Sequence, residues 1–266
     1  MIKFFRQIRK NTIMKNETGK YLKYAIGEIT LVVIGILIAL QINNWNQNRT
    51  NENLEAKYQV RLLEDLKEEK AIMEATLNYS EEVHRHAKKA ITLFENPLKN
   101  DEDSAEGLID FYQASQIQSP VSANSTYQEL IASGQINLIK DDDLKTSLIR
   151  YYEYNWTNAK PANLPSLYRE NLRGKMSNAI QEEIRNNCDD VYVKIRKTYE
   201  VTLPKTCNIN IDINIAKSEL LSLKKDESLK KDLRSLIGNI EAKNNYIKSL
   251  KKQLEDLISQ FETNIK

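Results

Sequence analysis

The sequence predicts an all-α, membrane-anchored protein in which one transmembrane helix continues into a periplasmic helical bundle or antiparallel stalk, with a small disulfide-closed extended excursion. Three observations predict it. Residues 24–45, YAIGEITLVVIGILIALQINNW, form the one stretch apolar and long enough to cross a bilayer. The chain is 29% charged with only 7 Gly and 5 Pro, and beyond that stretch its apolar residues recur every three and four positions, which favours long helices over a strand-rich sandwich. Two cysteines, Cys188 and Cys207, bracket the one segment in which apolar and polar residues alternate. A length of 266 residues accommodates one anchor and one domain of ordinary size. The net charge is +2 with both signs interspersed, and no arginine-rich patch carries interleaved aromatics, so no nucleic-acid partner is expected.

A hydrocarbon core about 30 Å thick takes about 20 helical residues at 1.5 Å each. Within the span only Glu28 and Gln41 seriously interrupt the apolar run, and Leu31, Val32, Val33, Ile34, Ile36, Leu37, Ile38 and Leu40 leave no polar face. A buried core helix is the alternative, and Tyr21, Tyr24 and Trp45 at headgroup depth weigh against it. Lys3, Arg6, Arg9, Lys10, Lys15, Lys20 and Lys23 precede the span with Glu17 as the single acid, whereas Arg49 and Lys57 beyond it are accompanied by Glu52 and Glu55. The positive-inside rule then places residues 1–23 in the cytoplasm and 46–266 in the periplasm. Leu37 and Ala39 make a poor signal-peptidase site, so the span is expected to act as an uncleaved signal anchor in the bacterial inner membrane. Met1, Phe4, Phe5 and Ile8 share one helical face among basic residues, as in an interfacial helix held at anionic lipid; a docking peptide is the other reading.

The segments MIKFFRQIRK, TGKYLKYAIGEI and LVVIGILIALQINNWN resemble the opening of a family of uncharacterised single-pass membrane proteins of Bacteroidota, a domain of unknown function. The later STYQELIASGQINLIKDDDLKTSLIRYY is similar to that family's middle segment. The resemblance implies a single-pass anchor with a helical extracytoplasmic body, and no catalytic residue.

After Trp45 the helix is expected to run on, or restart, to about Phe94, with Leu62, Leu66, Met73, Leu77, Ala87, Ile91 and Phe94 as its apolar stripe. Asn96, Pro97 and the acidic run after them stop it. A short helix is expected over 108–117, and another over 126–133, ended by Gly134 in the left-handed conformation. Residues 136–139 then read as an extended link, and Asp141, Asp142 and Asp143 as the capped start of the helix LKTSLIRYYEYNW. That helix buries Leu144, Leu148 and Tyr151 or Tyr152. Its tyrosines line a ligand cleft or serve as core, in a chain with 13 Tyr and 5 Phe.

Past Pro161 and Pro165 a helix is expected over 166–186. Val191, Val193 and Ile195 alternate with polar residues, and the stretch from Thr198 to Leu203 is again β-favouring, which reads as a hairpin. With the body outside the cytoplasm, Cys188 and Cys207 are expected to be bonded, a loop worth about 3 kcal/mol at best. Two thiols without a nearby histidine do not complete a zinc shell. Finally Leu229, Leu233, Leu236, Ile240, Ile247, Leu250, Leu254, Leu257 and Phe261 make a heptad seam with Lys243 as its polar intruder. The seam packs either on the long first helix of its own chain or in a coiled-coil homodimer.

No catalytic constellation appears. His84 and His86 are two apart on a helix and point to different faces, with His84 nearer the stripe, and no Walker loop, dinucleotide fingerprint or HExxH occurs. No cofactor or metal is expected. Two functions stay in play: an interaction scaffold or accessory subunit of an envelope complex, and a ligand-sensing module that signals through a partner, with an envelope enzyme third. Membrane lipid is one expected partner, and a membrane or periplasmic protein, or a second copy, another. Glu28 lies one turn inside the span, where a charge is costly. It either snorkels to the cytoplasmic headgroups or meets a polar group on a partner helix that Gly35 and Ala39 let approach. Alkaline phosphatase fused after Asn100 is expected to be active; an inactive fusion would reverse the orientation.

Overall fold

The computed structural model describes residues 18–98, 100, 101 and 103–265, and the interfacial helix expected around Met1, Phe4, Phe5 and Ile8 lies outside them. The chain divides into two compact units between Lys57 and Tyr58, and the first helix, α1 (Thr18–Glu95), contributes residues to both.

In the first unit the described residues are helical and their apolar side chains face outward on every side, from Leu22 and Leu31 to Ile42 and Trp45. This is the one helix among the described residues long and apolar enough to cross a membrane, and none of its apolar window is buried. A core helix would bury that surface against neighbours. Thr30 donates its hydroxyl to the Ile26 carbonyl at 2.8 Å, which removes one polar group from an otherwise apolar surface.

The second unit is built from the rest of α1 and from α2 (Asp103–Gln113), α3 (Ser125–Ala132), α4 (Asp142–Glu153), α5 (Leu167–Lys175), α6 (Asn178–Cys188), strands β1 (Val191–Ile195) and β2 (Thr198–Thr202), α7 (Ile213–Lys224) and α8 (Glu227–Asn264). Short 3-10 turns lie at Ile136–Leu138, Trp156–Asn158 and Lys160–Ala162.

Its spine is the pairing of α1 with α8. Ion pairs join Lys67 to Glu262 (2.7 Å), Lys70 to Glu255 (2.9 Å), Glu74 to Lys251 (2.9 Å), Glu81 to Lys248 (3.0 Å), Lys88 to Glu241 (3.0 Å) and Glu95 to Arg234 (3.0 Å). One number rises as the other falls, so the helices are antiparallel and the heptad seam pairs within the chain. Exposed pairs of this kind contribute about 0–1 kcal/mol each and report register more than stability. The stabilisation comes from what they flank: Leu62, Leu66, Met73 and Leu77 pack with Leu250, Leu254, Leu257 and Phe261, and Ala87 and Ala90 share a second cluster with Leu229 and Leu233. Burying one such large aliphatic side chain is worth about 1.5–3 kcal/mol. The seam departs from the expected one where Ile237 is more deeply buried than Leu236, and where Asn244, next to Lys243, is the buried polar residue.

The local elements follow the sequence with four differences. Gly134 takes φ +68° to end α3, and the Asp141 carboxylate accepts from the Leu144 N–H at 2.9 Å to start α4, both as expected. Between them the chain forms a 3-10 turn instead of an extended link, because Leu138 and Ile139 then find backbone acceptors in Gln135 and Ile136. Helix α2 begins earlier than expected, since Asp103 and Glu106 favour its positive end instead of a loop. The helix expected over 166–186 is two helices, broken at Met176, where Gln181 Nε2 donates to the carbonyls of Arg173 (2.8 Å) and Met176 (2.7 Å). Helix α7, capped by Asp212, was not expected at all; it lies so close to α2 that a Cβ on Gly107 would come within 2.7 Å of Leu220.

β1 and β2 form an antiparallel hairpin pairing Val191 with Thr202 through to Ile195 with Thr198. Arg196 turns it at φ +51°, a region costly for a side-chain-bearing residue, and is held there by Glu68 (3.0 Å) and Glu64 (3.2 Å). Glu200 on β2 is buried, and burial together with the nearby Glu68 charge pushes its carboxyl up to about 7. Its folded value therefore lies above its unfolded one, so this contribution to stability is full in acid and is lost as pH rises through about 7. Glu200→Gln is expected to flatten the fall in stability between about pH 5 and pH 8 in denaturant titrations; an unaltered slope would mean that Glu200 is charged throughout.

Candidate functional site

Helices α4 and α8 enclose a cleft of about 580 Å³ lined by Tyr151, Tyr154 and Trp156 on one side and Tyr246, Gln253 and Gln260 on the other. Positions 246, 249, 253, 256 and 260 recur every three or four residues and so share one face of α8, beside which Leu250 and Leu257 border the cleft and pack with Leu254 in the core. Asn155 takes φ +38° just after α4, and this bend carries Trp156 inward while Tyr154 stays exposed at the mouth. The Tyr154 and Tyr246 rings stand 6.3 Å apart.

The tyrosines that the sequence offered as cleft or as core divide between the two roles. Tyr152 stacks on Tyr127 at 4.8 Å and donates to the Ala123 carbonyl at 3.1 Å; both are core. Tyr127 donates to Glu153 at 2.9 Å, and burial followed by that carboxylate pushes its phenol up to about 12. Tyr151 and Tyr154 line the cleft.

Beneath Trp156 lies Glu69, fully buried on α1. Its carboxylate accepts from Trp156 Nε1 at 2.5 Å, from Ser122 Oγ at 2.7 Å and from the Ala123 N–H. Burial raises the carboxyl above its ordinary value while these donors oppose the shift. The arrangement ties α1, the loop before α3 and the turn after α4 to one group, and so fixes the wall of the cleft.

That wall carries two buried phenol oxygens, Tyr151 beside the Glu69 carboxylate and Tyr246 beside the Tyr154 hydroxyl, neither in good hydrogen-bond geometry with its neighbour. Burial and the nearby Glu69 charge raise the Tyr151 phenol, and burial and the neighbouring Tyr154 hydroxyl raise that of Tyr246, so both are neutral at physiological pH. A buried hydroxyl left unpaired costs about 1–3 kcal/mol. With the amides of Gln253 and Gln260 and the face of Tyr154, they suit a polar ligand with a flat side. Neither Gln nor Glu69 stood out in the sequence; the signal available was that Tyr246 falls on α8 away from the leucine seam.

The residues singled out in the sequence lie elsewhere. Cys188 and Cys207 are bonded, with Cα atoms 5.2 Å apart, and Gln113 Nε2 holds the Cys188 carbonyl at 2.8 Å. His84 is not the buried histidine: it pairs at the surface with Glu241 (3.1 Å), while His86 is buried against Asp110 (2.6 Å), because residue 86 faces α2. Glu28, Gly35 and Ala39 are exposed on α1 in the first unit.

Residues 28–159 match the model of a family of unknown function, DUF6090. That stretch includes Glu69, Tyr151, Tyr154 and Trp156, but not the α8 side of the cleft. No curated protein and no solved structure matches the chain.

Glu69→Ala is expected to leave the Trp156, Ser122 and Ala123 donors unpaired and to lower unfolding free energy by about 2–5 kcal/mol in denaturant titrations. A loss below about 0.5 kcal/mol would mean that the donors re-pair without it.

Proposed function

We propose that this chain is a single-pass inner-membrane protein with its amino terminus in the cytoplasm, whose periplasmic body binds a small polar ligand in the tyrosine cleft and conveys its presence to a partner protein. Of the two functions expected from the sequence, the geometry favours ligand sensing. The observation that carries it is the cleft of about 580 Å³ in which the rings of Tyr151, Tyr154 and Tyr246 stand beside amide side chains, with two under-bonded phenols in its wall. Clefts of this size and mixed lining are where small molecules bind.

The compartment is supported by the Cys188–Cys207 bond, which persists in an oxidising environment, and by the basic residues ahead of the span. The likeness of the opening segment to a Bacteroidota membrane family agrees with it. Because the described residues contain one candidate span, a signal passes through a partner, which makes the chain an accessory subunit as well. Gly35 and Ala39 offer that partner a close approach in the membrane, with Glu28 as its polar anchor.

Native mass spectrometry of the full chain in mild detergent tests both parts. A small molecule is expected on the wild type and not on Tyr154→Ala, an exposed position where substitution shifts stability by about 0.5 kcal/mol or less. Glu28→Leu is expected to keep the small molecule and lose the co-purifying protein. Retention of the molecule by Tyr154→Ala would remove the cleft from the function, and unchanged co-purification in Glu28→Leu would remove the membrane contact.

A further inference from the structure

A second cleft, of about 680 Å³, opens between α1, α5, α8 and the loops around Ile117 and Leu164. Three cationic side chains line it, Arg169, Arg173 and Lys243, against one carboxylate, Glu170. Arg169 and Arg173 are one turn apart on α5 and so share a face. Both are immobilised by neutral groups. Arg169 Nη1 donates to the Ser115 carbonyl at 2.7 Å, and Arg173 Nε to Ser115 Oγ at 2.9 Å, while both reach Gln116 Oε1 at 3.3 Å. The Arg173 guanidinium also stacks on Tyr112, 3.2 Å from the ring centroid.

These bonds orient the guanidinium groups without neutralising them. Among the described residues neither arginine has a carboxylate within ion-pairing distance, and Lys243 has neither an ion pair nor a hydrogen bond. Asp190, which feels both arginines, is engaged by the Tyr79 hydroxyl at 3.0 Å. Lys243 is half-buried, and burial pulls its ammonium below the ordinary lysine value, as it does the Arg173 guanidinium. Desolvated cations without a direct ion pair cost stability, which an arriving anion would recover. The rest of the wall includes Val83, Leu164 and Ile240, so the space takes more than a bare ion.

We propose that this cleft is a second binding site, distinct from the tyrosine cleft, for an organic oxyanion: a carboxylate or phosphate group carried on an apolar body. The anion lies between the α5 arginines and Lys243, and its apolar part against the aliphatic wall. Guanidinium groups held in a fixed plane suit such bidentate recognition.

Benzoate, phenyl phosphate and the neutral benzyl alcohol are the probes, titrated by calorimetry into the full chain in mild detergent. At least one of the two anions is expected to saturate, with benzyl alcohol silent. Which anion binds distinguishes a carboxylate from a phosphate ligand. Lys243→Met and Arg169→Gln are expected to weaken binding about tenfold or more, the range for a lost charged hydrogen bond. Lys243→Met removes an unpaired desolvated charge, so its melting temperature is expected to equal or exceed that of the wild type, which separates lost binding from lost folding. Tyr154→Ala is expected to leave the anion affinity unchanged. Silence from both anions, equal binding of benzyl alcohol, undiminished binding by the Lys243 variant or a lower melting temperature for it would each overturn the site.

Discussion

The burial of the α1 segment after Lys57 against α8 is the constraint on which the rest of the body depends. Leu62, Leu66, Leu254, Leu257 and Phe261 are removed from water only when the two helices lie antiparallel in one register, and the exposed ion pairs reject slipped alternatives more than they add stability. Every shorter element is placed by that frame. Helices α4 and α5 pack on α8, α2 packs on α7, and the hairpin is pinned to α1 through Glu64 and Glu68.

Both clefts draw a wall from one stripe of α8, at different heights along it. Tyr246 and Gln253 serve the tyrosine cleft, Asn239 and Lys243, nearer the amino end of the helix, serve the cationic one, and the leucines beside that stripe hold the helix in the core. A rigid two-helix spine can therefore present two chemically different concavities without either disturbing the core. The same helix carries features that cost stability: the under-bonded phenol of Tyr246, a desolvated ammonium at Lys243 and a buried Asn244 whose Oδ1 is unpaired. Proteins retain such groups where binding offsets the cost.

Glu69 links frame to function. It lies on the core side of α1, yet its three donors come from Trp156, Ser122 and the Ala123 backbone, so the wall of the tyrosine cleft is set from inside the molecule. In the sequence Glu69 is indistinguishable from the other acids of a charged helix, because its partners lie 53 residues and more away along the chain. Distance along the chain likewise hides the burial of His86, which depends on Asp110 of α2.

What the sequence by itself determined is whatever follows from short-range periodicity and from residues with one conformational habit. The all-round apolar run of α1, the heptad spacing of α8, the left-handed Gly134, the Asp141 cap and the alternating hairpin strands were legible because each is a local preference strong enough to survive any context. Tertiary structure decided the rest. A heptad seam is equally satisfied within or between chains until a partner face is in place, and the break at Met176 stands because Gln181 bonds the carbonyls exposed there. The clefts belong wholly to this second group, since a cavity is defined by side chains that converge from α1, α4, α5 and α8, and convergence is a property of packing that no stretch of sequence carries alone.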